Sequence, residues 1–281
     1  MPATQKHRWL TRGANREDVR STNLRRFVVD GARAAFERDH PGPFSPVVAL
    51  IAAYEEEANI GDVLAAMPAE VDGLAVTTLV VVDGGTDRTA EVTSAAGVAT
   101  CVLPVNLGQG AALRLGYALA ADHGARYVVT LDADGQNDPA EMHRLVALLV
   151  EDAADFVIAS RQLGEDHTTD RFRRTGVAVY AHALNTITGQ HLTDTSNGYR
   201  AFRIEVLKDI VPHLRQDQYQ TAEVVITAAT RGWRIGEVPI TWHPRASGES
   251  KKGGNLFFGL QYARVIATTW ARMSLANGRR R

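Results

Sequence analysis

Two carboxylates two residues apart, Asp132 and Asp134, with Gln136 two further on, close the apolar run Tyr127-Val128-Val129-Thr130-Leu131. If that run is a β-strand, residues at i and i+2 leave it on one side, so both carboxylates stand together at its carboxyl end. Oxygen ligands placed like this suit a hard divalent cation that keeps positions open for phosphate oxygens. The same residue types are ordinary turn formers, and an isolated D-x-D is a weak signal.

Two other strand-like runs also end in polar clusters, Tyr54-Glu55-Glu56-Glu57 and Asp83-Gly84-Gly85-Thr86-Asp87. Ligands of open α/β sheets bind outside the carboxyl ends of the strands, so three such ends on successive strands point to one site. The second half of the chain supplies the charges for a reaction there. Arg161, Arg200, Arg245, Lys251 and Lys252 are candidates to hold an anionic group. Glu223 and Asp194 are the carboxylates available as a general base. Against these stand simpler readings: Arg161 and Arg200 as ion-paired scaffold, Glu223 as a helix-face or positioning residue. His143, His182 and His191 have no metal-ligand spacing. Asn106-Leu107-Gly108-Gln109-Gly110 lacks the third glycine of a dinucleotide loop, which argues against a dehydrogenase.

The elements needed to position these residues are legible as alternating patterns. Strands are predicted at 47–54, 78–83, 100–103, 126–132, 155–161, 199–203 and 238–242. Helices are predicted at 21–38, 59–67, 87–96, 110–123, 139–150, 171–189 and 219–231. Asp138, Pro139 and Glu141 give the 139–150 helix a cap, a first-turn proline and a capping-box spacing. Continuous Val/Ile runs joined through helices predict an α/β fold, a mainly parallel, Rossmann-like sheet covered by helices on both faces. His40-Pro41-Gly42-Pro43 marks a boundary, which divides the chain into a basic, partly helical extension (1–44), a main domain (45–245) and a basic amphipathic segment (246–281).

Bulk composition narrows the function classes. Of 281 residues, 45% are hydrophobic and the net charge is −1, so there is no overall basic field for nucleic acid. Both ends are nonetheless basic: residues 1–40 carry nine Lys/Arg against five Asp/Glu, and 251–281 carry seven and no acid. Cys101 is the only cysteine, which fits a reducing, cytoplasmic setting and a buried apolar role. No run reaches the ~18 apolar residues of a membrane span. The segment from Lys251 onward mixes basic residues with Leu256, Phe257, Phe258, Leu260, Tyr262 and Trp270. Such a segment suits peripheral contact with an anionic lipid surface, packing on its own domain, or contact with a second copy in a homodimer.

Taken in order, these motifs resemble family 2 glycosyltransferases of the GT-A fold. Residues 51–60 are similar to the family's P-A-Y-N-E-E-x-N-I, and residues 81–89 to its V-V-D-D-G-S-T-D-x-T; Asn106–Ala112 and D-A-D-G-Q follow in the family's order. Ala159-Ser160-Arg161, 195–202, Glu237-Val238-Pro239-Ile240 and 245–251 resemble the polyprenyl-phosphate (dolichyl-phosphate) mannose and glucose synthases. The likeness implies a GT-A domain with Mg2+ or Mn2+ on Asp132, Asp134 and Gln136. It also implies a donor, GDP-mannose or a UDP-sugar, bound near Ala53, Tyr54, Glu55, Asp83, Gly110, Asp132, Ala133 and Arg161. Asp134, Arg200, Glu223 and Asp194 are the catalytic candidates. Ala52 replaces the usual Pro, Glu55 the usual Asn, and the Asp83 loop is one residue short, with Gly84 where a second Asp is common.

The expected activity is inverting transfer of a hexose from a nucleoside diphosphate to a polyprenyl phosphate. The runner-up keeps the fold and uses a hydroxyl acceptor on a small molecule or saccharide. A non-catalytic nucleotide-sugar-binding protein is the outside alternative.

Overall fold

A computed structural model describes residues 16–167, 171–245 and 255–278. In chain order the elements are α1 (Arg16–Asp39), β1 (Val47–Ala53), α2 (Ile60–Ala65), β2 (Glu70–Val71), β3 (Leu74–Asp83), α3 (Thr89–Ala95), β4 (Ala99–Leu103), α4 (Gln109–Asp122) and β5 (Tyr127–Asp132). They continue as α5 (Met142–Val150), β6 (Phe156–Asp166), α6 (Arg171–Thr188), β7 (Arg200–Arg203), α7 (Ile204–Ile210), α8 (Gln220–Thr230), β8 (Ile235–Trp242) and α9 (Asn255–Gly278).

The strands form one twisted sheet in the order β4-β3-β1-β5-β7-β6-β8, with the short β2 antiparallel to the start of β3. β1 pairs in parallel with β3 and β5, β3 with β4, and β6 with β8. β7 is the exception among the central strands. It runs antiparallel to both β5 and β6, so the sheet, mainly parallel as expected, is mixed at this strand. Sequence patterning found β7 but not its direction, because an apolar run carries no sign of which way it points.

The central strands are apolar on both sides because both faces are covered. One face packs α1, α4, α7 and α8 through residues such as Phe36, Leu115, Phe202 and Val225. The other packs α2, α3 and α5 through Ile60, Val92, Met142 and Leu145. Cys101 is buried on the first face, its thiol pushed up to about 12 by burial. α1 reaches into that core with Ala32 and Phe36, against β4 and α4.

α9 carries a stripe of Tyr262, Val265, Ile266 and Met273, which packs on Leu184 of α6 and on Ala222 and Ile226 of α8. That spacing is one face of a helix. Among the described residues, no helix is long and apolar enough to cross a membrane. In α9, Trp270 and Leu275 remain as exposed large hydrophobic side chains.

The helix expected at 139–150 starts as a 3-10 turn over Pro139–Glu141 before α5. Asp138 caps it, accepting from the Ala140 N–H at 2.9 Å. Glu141 does not close a capping box; it turns to the neighbouring strand and accepts the Thr241 N–H at 2.9 Å.

Candidate active site

Register brings the three polar strand ends together. Ala52 of β1 lies opposite Asp132 of β5 and Val81 of β3, and Ala53 lies opposite Val82, so Tyr54, Asp83 and Asp132 leave the sheet side by side. Ala53 and Ala133, expected beside the donor, are buried at these strand ends. Glu55 sits at φ 51°, in the left-handed region. Such a conformation is uncommon for a residue with a Cβ and concentrates at functional turns. Links between loops hold this turn: the Glu56 N–H donates to Thr89 Oγ1 at 2.9 Å and the Glu57 N–H to Asp87 Oδ2 at 3.0 Å.

Asp83 is almost fully buried and receives the N–H groups of Leu107 and Gly108 at 2.7 and 2.8 Å. Burial pushes its carboxyl up to about 6, despite those two donors. Its geometry makes it the clamp of the 104–108 loop. Gly84 is obligatory beside it: φ is +69°, and a Cβ would come within 2.5 Å of the Asn106 backbone nitrogen. The glycine that replaces a second acid therefore lets two loops touch.

The D-A-D-G-Q loop is stitched to the exit of β8. The His243 N–H donates to the Gln136 carbonyl at 3.0 Å, and Gln136 Nε2 donates to the His243 carbonyl at 3.2 Å. The second bond fixes which end of the Gln136 amide is nitrogen, leaving Oε1 as the end available to a cation. Asp134 Oδ1 accepts the Gln136 N–H at 3.1 Å, while Oδ2 takes Nη2 of Arg245 at 2.8 Å. Asp132 is only partly buried, and its Oδ1 accepts Gln109 Nε2 at 2.9 Å. A Cβ at Gly198 would stand 3.1 Å from both Asp132 carboxylate oxygens, so the glycine makes room for that carboxylate.

Among the described residues, no three His, Cys, Asp or Glu side chains converge as a ready metal cluster. The donor set at this strand end is two carboxylates and one amide oxygen. That is hard-oxygen chemistry suited to Mg2+ or Mn2+, and a guanidinium on Asp134 shows that positive charge is welcome there. Next to Gln136, the buried Asn137 side chain has no hydrogen-bond partner at either amide atom among the described residues. Such a group is costly unless something else satisfies it.

The candidates in the second half of the chain take a different place. Arg161 and Asp194 form a bidentate pair at 2.6 and 2.9 Å, with Asp194 fully buried. Arg161 also donates to Ser196 Oγ at 2.7 Å and lies over the Trp242 ring. Burial opposes the Asp194 charge, but the adjacent guanidinium outweighs it and holds the carboxyl below its ordinary range. Arg200 is buried and gives its three nitrogens to the carbonyls of Asn197, Thr221 and Thr195, at 2.7, 2.9 and 2.7 Å. Glu223, also fully buried, accepts the N–H groups of Arg215 and Gln216 and the guanidinium of Arg272. Of the catalytic candidates, Arg200, Asp194 and Glu223 are therefore all buried and engaged by protein partners. Lys251 and Lys252 lie outside the described residues.

The loop ordered by Glu223 leans on the start of α4. The Gly110 N–H donates to the Asp217 carbonyl at 2.9 Å, and a Cβ at Gly110 would be 2.2 Å from the Gln216 carbonyl oxygen. Gly110, expected near the donor, is here a point of loop contact. Asp217 holds guanidiniums from both Arg25 of α1 and Arg114 of α4. Asp217 lies outside the motifs read from sequence, while Gln109 and Glu56 lie within them, but nothing local tells that their side chains reach Asp132 and Arg245.

Comparisons with known proteins agree with this architecture. The sequence matches the family described as Glycosyl transferase family 2 over residues 48–211, more than half of the chain. It is 35% identical over 208 residues to a dolichyl-phosphate hexose transferase of Haloferax volcanii, covering 74% of this chain and 87% of that protein. It is 32% identical over 167 residues to an undecaprenyl-phosphate mannosyltransferase of Micrococcus luteus, covering 58% and 67%. In fold it is similar to glucosyl-3-phosphoglycerate synthase from Mycobacterium tuberculosis, crystallised with Mn2+, uridine diphosphate and phosphoglyceric acid. That likeness has a TM-score of 0.64 at 19% identity and covers 85% of this chain and 82% of that one. The chain has the GT-A fold and belongs to glycosyltransferase family 2.

Proposed function

We propose that this glycosyltransferase moves a hexose, with inversion, from a nucleoside diphosphate sugar to a polyprenyl phosphate at a membrane surface. The anomeric carbon–oxygen bond to the diphosphate breaks, a new bond to the acceptor phosphate oxygen forms, and the nucleoside diphosphate leaves. Asp132, Asp134 and Gln136 would hold Mg2+ or Mn2+, which when bound supplies positive charge against the leaving diphosphate, worth on the order of several kcal/mol. Tyr54, the Glu55 turn and the clamp at Asp83 shape the nucleoside side of the crevice. Arg245, at the exit of β8, pairs with Asp134 of this set and with Glu56 of the turn after β1.

The observation that carries the choice of acceptor is the withdrawal of both candidate bases. Asp194 and Glu223 are fully buried, and their oxygens are engaged by guanidiniums and backbone N–H groups. A hydroxyl acceptor needs a base to take its proton; a phosphate monoester is already anionic and does not. The names of the two relatives support the same acceptor class.

The test is to incubate the full chain with polyprenyl phosphate and UDP- and GDP-sugars, with Mg2+, Mn2+ or chelator. A charged glycolipid that forms only with the divalent ion is expected. Transfer to a free saccharide hydroxyl, with no lipid product from any donor, would overturn the reading.

A further inference from the structure

The two carboxylates of the D-A-D turn are held by partners of different charge. Asp132 accepts from the neutral amide of Gln109 at 2.9 Å. Asp134 is paired with the cationic Arg245, whose other nitrogen reaches Glu56 Oε1 at 3.1 Å. The Arg245 side chain is 20% exposed and the two acids about a tenth, so bulk water screens the pair only in part. A neutral donor can remain on a carboxylate when a metal ion arrives. A guanidinium on the same carboxylate is disfavoured there, because the two cations repel and compete for its oxygens.

We propose that Arg245 is the resident competitor for the divalent ion at Asp134, displaced when the ion binds and taken up by the donor's diphosphate. This rests on the reading that Asp132, Asp134 and Gln136 form the ion's seat. The His243–Gln136 pairing holds the exit of β8 two residues before Arg245, so leaving Asp134 asks for movement of the arginine side chain and not of the strand. An ion binding alone must break the Asp134–Arg245 pair and leave a guanidinium with one acid fewer. An anionic diphosphate entering with it gives that guanidinium a new partner. Ion and diphosphate therefore favour each other's binding beyond what their direct contact supplies, and the effect is reciprocal.

The experiment titrates Mn2+ into the full chain and follows the six-line electron paramagnetic resonance signal of the free ion, with and without UDP or GDP. Wild type, Arg245→Gln, Arg245→Lys and Asp134→Asn are compared, with urea midpoints confirming that each folds. Arg245→Gln is expected to bind Mn2+ alone roughly tenfold more tightly than wild type, and to lose a similar factor from the tightening that diphosphate produces. Arg245→Lys should fall between them, and Asp134→Asn should lose the site. If Asp134→Asn loses binding but Arg245→Gln binds Mn2+ no more tightly than wild type, the competitor role is overturned and the seat stands. If no form binds Mn2+, or Asp134→Asn binds it unchanged, the seat is overturned and the competitor role with it.

Discussion

The carboxyl edge of β1, β3 and β5 and the β6–α8 half of the molecule carry the same kinds of residue, arginines and acids, yet use them in opposite ways. At the edge, Asp132 is partly exposed and touched by one amide, and Asp134, itself buried, shares a partly exposed guanidinium. In the second half, Asp194 and Glu223 are fully buried, and Arg161 and Arg200 nearly so, each surrounded by hydrogen-bond partners. A charge that must meet substrate keeps spare lone pairs and a path to solvent. A charge that holds loops together spends both. The difference teaches that residue type nominates a catalytic group, while burial and partner count decide whether it can act.

The sharpest way to break that contrast is at Arg161 and Asp194. Asp194→Asn strands a buried guanidinium, and the expected loss is about 3–5 kcal/mol of stability in urea unfolding. If Asp194 were a base instead, the variant would unfold normally, lose turnover, and lose the acidic limb of its pH profile. Replacing both partners with Met and Leu should recover much of the stability, since an absent pair costs less than a broken one.

At the edge the expectation inverts. Asp134→Asn should lower turnover by about 10²–10³, equivalent to about 3–4 kcal/mol in the barrier. Its urea midpoint should correspond to a change of about 1 kcal/mol, because Arg245 is partly exposed and keeps Glu56 as a partner. A large stability loss with proportionate activity would place Asp134 with the scaffold acids and erase the distinction.

Much of the edge was legible from sequence because it depends on local facts: strand ends, the period of two in D-A-D, and glycines where chains turn. The core strands and most helices followed from apolar periodicity for the same reason. The partners of the second half are not legible in the sequence because they are non-local. Asp194 meets Arg161 across 33 residues, and Glu223 meets Arg272 across 49. The direction of β7, the capping of Glu141 on Thr241 and the reach of Gln109 to Asp132 are likewise tertiary facts. Nothing in a short window distinguishes an arginine that binds phosphate from one that binds three carbonyls.

Asp83 tests the boundary between the two regions, since it stands at the crevice edge but is buried like a scaffold acid. Its carboxyl is pushed up to about 6, above the ordinary ~3.9, so between those values the folded chain keeps a proton that the unfolded chain has lost. Stability from this group therefore falls as pH rises through that window and levels off above it. The full effect is at most about 3 kcal/mol. Asp83→Asn removes the titration but also an acceptor, because one of the two N–H groups then faces an amide nitrogen. The difference in stability between wild type and variant should thus change between pH 4 and 7, with the variant gaining relative to wild type at the higher pH. A pH-independent difference would show that Asp83 ionises in the folded chain as it does in the unfolded one.

Gln109 offers the smallest effect and the finest discrimination. From the first turn of α4 it aims one carboxylate oxygen of Asp132. Partners of this kind set the orientation of a ligand, and their loss typically weakens metal binding by about tenfold or more. Gln109→Leu keeps the approximate volume and removes the donor, so it should raise the Mn2+ Kd about tenfold and raise KM for the donor more than it lowers kcat. Gln109→Asn, too short to reach, should behave similarly. A residue that merely caps α4 would shift the urea midpoint and leave Mn2+ affinity unchanged. That result would confine the working edge to the carboxylates themselves; the expected one extends it to a helix that reaches across from beside the Asp217 loop, so that scaffold and edge meet at Gln109.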